Sequence, residues 1–351
     1  MRPDERRRVA FADGLRGIAA LWVVLFHASE GGHVPHLLSA LPPWMVTIVF
    51  EWGHLGVAVF FVLSGYVMSR SVAGLDTTHR FAGRFFLRRL LRLSPPYYAS
   101  IGFVILYGAA KGVALGTPAD SPGVPNVAAH LVYLQDILAA PAISVVYWTL
   151  CIEIQFYLGF VALLVVRRWL QRRGVRSADD LPWLGAVLLA FPWMAGWVET
   201  PVFRGSFLPF WSAFVLGLLV GRAQSTRSST QAAAFAGLMM AAWASTGSGF
   251  LGAALGGAAL LVLGTLVPWI AAALGSAPLQ FLGTVSYSLY LTHNQLSGGA
   301  AFALRRIASP SVAGDLLLLV GMLVASLLFA WVCWAVVERP SIALSRRIRL
   351  T

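Results

Sequence analysis

Residues 14–30 read GLRGIAALWVVLFHASE, an apolar run that holds an arginine near its start and a histidine near its end. Apolar runs of about 17–25 residues are long enough to cross a bilayer as a helix, and such runs recur from Gly14 to Val337 without a long polar interval. The chain is 58% hydrophobic and 11% charged, with a mean hydropathy of +0.75, whereas soluble domains carry charge on about a quarter of their residues. These features predict an integral membrane protein and argue against a water-soluble fold.

The spacing of the apolar runs predicts an all-α membrane protein with about ten transmembrane helices, in one domain that covers residues 1–351. We expect spans near residues 14–30, 52–72, 95–112, 144–166, 182–198, 207–222, 231–246, 250–273, 283–304 and 313–337. A basic N-terminus (1–13) precedes them, and a short tail (338–351) follows. Segment 79–94 alternates arginines with apolar residues, which favours an amphipathic helix in the membrane interface.

The distribution of basic residues predicts the orientation. The net charge is +12, and with both termini in the cytoplasm 21 arginines fall in inner segments while four basic residues fall outside. This positive-inside bias is typical of a multi-pass protein of the bacterial cytoplasmic (inner) membrane, in contact with membrane lipids. Because the arginines lie between spans and not on one surface, we expect no nucleic-acid partner. Arg305 and Arg306 are expected outside, against the rule.

Four ionisable side chains lie inside predicted spans: Arg16, His27, Glu153 and His293. Such residues are costly in a membrane and are therefore functional candidates. Arg16 and His27 share one helix face, about 16 Å apart, and the depths of His27, Glu153 and His293 overlap, so we expect these three to meet in one polar chamber. The alternative is a structural cluster that ties helices together, or, for Arg16, a snorkelling side chain. The remaining histidines are expected to be solvated: His33, His36, His54, His79 and His130.

A second group of candidates is Arg88, Arg89 and Arg92, just before Pro95. On a helix Arg88 and Arg92 share a face, and guanidinium groups match the geometry of phosphates. The group therefore suits a phosphorylated ligand, although gripping anionic lipid headgroups is the alternative. The two cysteines offer no disulfide framework, and no metal site is expected.

Five segments in chain order resemble the acyltransferase-3 family of membrane O-acyltransferases. They are DGLRGIAA (13–20) running on to His27, GVAVFFVLSGY (56–66), FFLRRLLRLSP (85–95), WTLCIEIQFY (148–157), and LG (282–283) through SYSLYLTH (286–293) with VERP (337–340). The resemblance covers residues from about 11 to 340. The chain departs from it at Asn294 and Gln295, where many members carry an aromatic residue and a proline. It is similar to the short form of the family, for which no periplasmic hydrolase-like domain is expected.

The resemblance implies a catalytic role for His27, with Arg16 also important. It implies handling of the donor by the arginine segment, and we assign the donor site to Arg88, Arg89 and Arg92 with the neighbouring Ser64 and Gly65. His293, Trp148 and Tyr157 are the expected contacts of the acceptor.

The functional hypothesis is transfer of acetyl, or another acyl group, from acetyl-CoA in the cytoplasm to a hydroxyl of a carbohydrate. The acceptor would be an envelope or secreted glycan such as lipopolysaccharide, exopolysaccharide, peptidoglycan or a lipid-linked glycan, and a macrolide or another small-molecule hydroxyl is the alternative. His27 is the expected general base, because imidazole titrates in the right range, with Glu153 orienting its ring. The alternatives are a proton-coupled transporter or flippase that uses the histidines and Glu153 as a relay, and a purely structural scaffold.

Overall fold

The regular secondary structure of the part of the chain that the structure describes is helical. The computed structural model describes residues 3–72, 79–118, 121–198, 204–226 and 228–350, without strands in these ranges. The helices of the first half are α1 (Pro3–Glu30), α2 (Pro35–Ala40), α3 (Pro43–Met45), α4 (Gly56–Val72), α5 (His79–Leu115), α6 (Val124–Leu131), α7 (Trp148–Arg172) and α8 (Leu181–Met194). Those of the second half are α9 (Trp211–Thr226), α10 (Thr230–Thr246), α11 (Gly249–Leu266), α12 (Pro268–Leu274), α13 (Ala277–Leu304), α14 (Val312–Cys333) and α15 (Arg339–Arg346). The all-α prediction is confirmed.

Six stretches of helix are long and apolar enough to cross a membrane. They are Ala10–Glu30, Pro43–Val72, Phe81–Leu115, Trp148–Arg172, Gly249–Leu266 and Val312–Arg346. Each coincides with a predicted span, and the other four predicted spans coincide with α8, α9, α10 and α13. The exact count of ten and the cytoplasmic position of both termini stay predictions. Arg2, Arg227 and the side chains of Arg6, Arg7, Arg8 and Arg80, which entered the orientation argument, lie outside the described residues.

The predicted interfacial segment 79–94 is helical, but it is not a separate helix. It forms the first half of α5, which continues through Pro95 and Pro96 to Leu115. A helix of this length extends about 55 Å, well beyond the roughly 30 Å of a hydrocarbon core. Its basic half therefore projects past the apolar layer. α5 packs against α7, α13 and α15, and Arg89 reaches Ser71 of α4 and Tyr157 of α7.

Close helix contacts hold the centre of the molecule, and glycines make them possible. α4 packs along α9, and a Cβ at Gly217 of α9 would lie 2.0 Å from the carbonyl oxygen of Val62. α1 packs along α13 in the same way, because a Cβ at Gly283 would lie 2.1 Å from the carbonyl oxygen of Asp13. Small residues allow such backbone approaches between membrane helices. The two contacts fix α1, α4 and α13 around a common space.

Short segments cover the end of the molecule at which α1 ends, three residues after His27. Arg305 Nη2 donates hydrogen bonds to the carbonyl oxygen of Gly32 and to His33 Nδ1, both at 3.3 Å. Burial and then the neighbouring Arg305 cation lower the pKa of His33, in keeping with a neutral ring that accepts this bond. The backbone N–H of Leu37 donates to the buried Asp315 carboxylate at 2.9 Å. Arg305, which the positive-inside rule left unexplained, thus has a local partner.

Replacing Gly217 with alanine tests the close contact between α4 and α9. The added methyl group must displace the Val62 carbonyl, so we expect destabilisation by about 1–3 kcal/mol and a lower melting temperature in detergent. Gly237→Ala in α10 is the matched control, because a Cβ there meets no atom within 4 Å. Equal melting temperatures for the two variants would show that α4 and α9 can move apart without loss of stability.

Candidate active site

A cavity of about 680 Å³ opens between α1, α4, α5, α7, α13 and α15. Five arginines line it: Arg16, Arg88, Arg89, Arg92 and Arg346. Three acidic residues, Asp13, Glu153 and Glu338, line it too. Aromatic and aliphatic side chains such as Phe60 and Val67 complete the wall. The cavity therefore brings together most of the residues expected at a donor site, in a basic and partly apolar surrounding.

The arginine segment of α5 supplies the basic wall. Arg89 Nη2 donates a hydrogen bond to Ser71 Oγ at 3.1 Å, and its guanidinium lies over the rings of Phe85 and Tyr157 at 5.2 and 5.9 Å. Such cation–π contacts stabilise a partly desolvated cation. Arg89 is thus held in place by protein groups, while Arg88 and Arg92 share one helix face beside it and also line the cavity.

Arg16 enters the cavity wall from α1. Its Nη1 pairs with Asp13 Oδ1 at 2.9 Å, one turn earlier on the same helix. Arg92 and Arg16 both interact electrostatically with the buried carboxylate of Glu338, which accepts a hydrogen bond from Ser288 Oγ at 2.6 Å. Arg16 is therefore part of a charge network in the cavity and not a snorkelling side chain.

Glu153 lies in the cavity wall on α7. Ser64 Oγ donates a hydrogen bond to its Oε1 at 3.1 Å, and the Tyr157 hydroxyl donates to the same oxygen. Arg89 interacts with it electrostatically. Ser64 and Tyr157, both expected at substrate sites, thus surround the carboxylate. Gly65 does not line the cavity, because it packs against α9, where a Cβ would lie 2.2 Å from the carbonyl oxygen of Phe214.

His27 and His293 form a pair beyond the inner end of the cavity. Their ring centroids are 5.2 Å apart, and His293 is fully buried. The Nδ1–H of His293 donates to the carbonyl oxygens of Leu289 and Tyr290, at 3.1 and 2.9 Å. Because carbonyls only accept, Nδ1 carries the proton. The buried Nε2 is left as an acceptor, without a hydrogen-bond partner in the described part of the chain.

The carboxylate beside His27 is Glu30 and not Glu153. His27 Nδ1 lies 2.8 Å from Glu30 Oε2, one turn along α1. The expectation that Glu153 orients the His27 ring is therefore wrong, and only two of the three groups predicted to share a chamber meet. Glu153 was predicted to meet His27 because the two residues lie at similar depths in the membrane. Depth does not determine the direction in which a side chain points around its helix axis.

A layer of aromatic side chains separates the cavity from the histidine pair. Tyr290 lines the cavity, and its ring lies 6.1 Å from that of His293. The hydroxyls of Tyr290 and Thr149 are 2.9 Å apart, and the ring of Phe60 meets Tyr290 edge-on at 5.6 Å. Tyr290 thus touches both parts of the site.

The other predicted acceptor contacts lie away from His293. Trp148 packs into an aromatic cluster with Phe61 and Phe210, at centroid distances of 6.5 and 5.2 Å. Tyr157 belongs to the Glu153 group. His130, expected to be solvated, is buried, and its ring bonds to the carbonyl oxygen of Asn126 at 2.9 Å.

Several residues of the site were not predicted from the sequence, among them Glu30, Tyr290, Glu338 and Arg346. Glu338 belongs to the VERP segment, which was noted only as a resemblance. Tyr290 precedes His293 by one turn and carried no charge to attract attention. Glu30 was present as the last residue of the opening stretch, three positions after His27, and this i, i+3 spacing was the available signal.

Comparison with known proteins gives one family and several relatives. Residues 9–335 match the profile of the acyltransferase-3 family, which is described as an acyltransferase domain. The chain is 33% identical over 231 residues to the candidate membrane-bound transacylase BcsY of Komagataeibacter xylinus. It is 27% identical over 217 residues to the peptidoglycan O-acetyltransferase OatA of Listeria monocytogenes. It is 26% identical over 215 residues to nodulation protein 10 of Rhizobium leguminosarum.

These matches cover a large part of this chain and a smaller part of each relative. The match with BcsY spans 62% of this chain and 52% of BcsY. The match with OatA spans 57% of this chain and 32% of OatA. The match with nodulation protein 10 spans 55% of this chain and 51% of that protein. No solved structure matches the chain.

Proposed function

Because the chain belongs to the acyltransferase-3 family, we propose that it transfers an acyl group from acyl-CoA to a hydroxyl group of a carbohydrate. The observation that carries this proposal is the arginine-lined cavity that ends one aromatic layer away from a histidine pair. The proposed location is the bacterial inner membrane, with both termini in the cytoplasm. In that orientation the cavity faces the cytoplasm and the histidine pair lies toward the opposite side.

The cavity suits a phosphorylated thioester donor. Coenzyme A carries its negative charge on phosphates, and guanidinium groups bind phosphate in a fixed fork geometry. Arg88, Arg92 and Arg346, which line the cavity, would hold these phosphates, and the apolar wall at Phe60 and Val67 would receive the pantetheine arm and the acyl group. Acetyl is the proposed group, since OatA is named as an O-acetyltransferase.

The proposed acceptor is a hydroxyl of an envelope or secreted carbohydrate, such as lipopolysaccharide, exopolysaccharide or a lipid-linked glycan. The support is the peptidoglycan named for OatA and the position of His27 three residues from the outer end of α1. His293, whose buried Nε2 is an acceptor without a described partner, is placed to bind a hydroxyl group at this point.

The proposed reaction uses His27 as the general base. In this proposal the acyl group extends from the cavity past Tyr290 toward His27. The acceptor hydroxyl gives its proton to the imidazole, and its oxygen forms a bond to the thioester carbonyl carbon. The carbon–sulfur bond then breaks, and the leaving thiolate takes up the proton. A positioned base of this kind contributes about 10²- to 10⁴-fold to the rate. Glu153 accepts hydrogen bonds from Ser64 and Tyr157. In this proposal it balances the positive charge of Arg89 in the cavity wall.

Replacing His27 with glutamine tests the base. We expect transfer to fall by at least about 10²-fold, while the protein still binds the donor, because His27 does not line the cavity. The measurements are transfer of labelled acetyl from acetyl-CoA to carbohydrate, donor binding by calorimetry, and a thermal melt to verify folding. His36→Gln is the control, because His36 is a largely exposed histidine that lies 3.5 Å from Asp315 and does not line the cavity. Full turnover by His27→Gln would remove this residue from the mechanism.

Replacing Arg88 and Arg92 together with alanine tests the donor site. We expect a higher KM for acyl-CoA with little change in kcat at saturation, because the lost contacts hold a part of the donor that does not react. Arg172→Ala, exposed at the far end of α7, removes a basic residue outside the cavity and serves as the control. An unchanged donor KM would mean that these arginines anchor the helix to lipid headgroups.

A further inference from the structure

We propose that Glu30 is a positioning residue, which holds His27 with its proton on Nδ1 and so leaves Nε2 for the proton transfer. This inference rests on the proposed function, in which His27 is the base. Glu30 does not line the cavity, and its proposed effect on the reaction passes entirely through the imidazole of His27.

The contact between the two side chains is direct. His27 Nδ1 and Glu30 Oε2 are 2.8 Å apart, within the range of a charge-assisted hydrogen bond. A carboxylate only accepts, so the bond requires a proton on Nδ1. In the neutral ring this leaves a lone pair on Nε2, and that atom is the one available to take a proton from a hydroxyl.

The position of Glu30 on α1 argues against a purely local helix-stabilising role. An acidic side chain at the C-terminal end of a helix faces the negative end of the helix dipole, which is unfavourable. A positive charge on His27 in the same turn is favoured by the dipole and by Glu30. The helix dipole therefore gives no reason for an acid at this position, whereas the bond to His27 does.

Among the described residues around His27, Glu30 is the one that accepts a hydrogen bond from its Nδ1. His293 faces it at 5.2 Å between centroids, but its Nδ1–H is committed to the carbonyl oxygens of Leu289 and Tyr290. Phe26 packs edge-on against the ring of His27 at 5.0 Å and separates it from His54. The side chain of His27 is 13% exposed and that of Glu30 is 58% exposed, so the pair reaches from the buried His293 to the surface.

The catalytic consequence is an orientation effect without a second proton transfer. While His27 holds the proton of the acceptor hydroxyl, Glu30 remains ionised and keeps the ring fixed, as the buried carboxylate does in a serine-protease triad. The proton then goes to the leaving thiolate, and Glu30 returns unchanged. Loss of Glu30 should therefore lower kcat and leave the KM for acyl-CoA unaltered.

Three variants separate the charge of Glu30 from its hydrogen bond. In purified full-length protein we expect Glu30→Ala to lower kcat by about 10- to 100-fold, a part of what a positioned base contributes. Glu30→Gln, whose amide oxygen still accepts from Nδ1–H, should lose less. Glu51→Gln is the matched control, since Glu51 is an exposed acid whose carboxylate accepts a hydrogen bond from Thr47 at 2.8 Å. Donor KM and thermal melts are measured for all three.

Nitrogen-15 NMR of histidine-labelled protein gives a readout that does not depend on transfer. The chain has seven histidines, and the signals of His27 are those that vanish in His27→Gln. We expect one protonated Nδ1 and one bare Nε2 for neutral His27 in the wild type and in Glu30→Gln, and a mixture of tautomers in Glu30→Ala. A kcat for Glu30→Ala equal to that of Glu51→Gln, or an unchanged tautomer, would overturn the proposal while His27→Gln stays inactive. Full activity of His27→Gln would instead overturn the proposed function, and this inference with it.

Discussion

The cost of placing charged groups between apolar helices governs the interior of this molecule. An ion without a partner in such a setting costs several kcal/mol, so each helix must bring a compensating group to the place where another helix carries a charge. Glu153 on α7 is met by Ser64 of α4, and Glu338 beyond α14 is met by Ser288 of α13. These bonds constrain the rotation of the helices and so determine which side chains line the central cavity.

The same constraint divides the site into two parts. Arginines and acids collect in the large cavity, where they compensate one another. The histidines, which can be buried in neutral form at lower cost, lie beyond it, with His293 bonded to the backbone of its own helix. Proposed donor binding and proposed proton transfer therefore occupy neighbouring but separate regions, and Tyr290 is in contact with both.

Much of the fold could be predicted from the sequence, because bilayer length and apolar composition suffice to locate helices. The helical fold class and the family are confirmed, and the arginine segment does line a common cavity with Arg16 and Glu153. What could not be predicted is the rotation of each helix, which separates Glu153 from His27. Contacts distant in sequence were also out of reach, as with Arg305 and His33, which are 272 positions apart.

The aromatic layer formed by Tyr290 and Phe60 has a consequence for the energy supply of the cell. A water-filled passage from one face of the membrane to the other would conduct protons and dissipate the electrochemical gradient. Here Tyr290 lines the cavity, its hydroxyl is paired with that of Thr149, and its ring lies 6.1 Å from that of His293. A ring at this position opposes a continuous file of water between the cavity and the histidine pair.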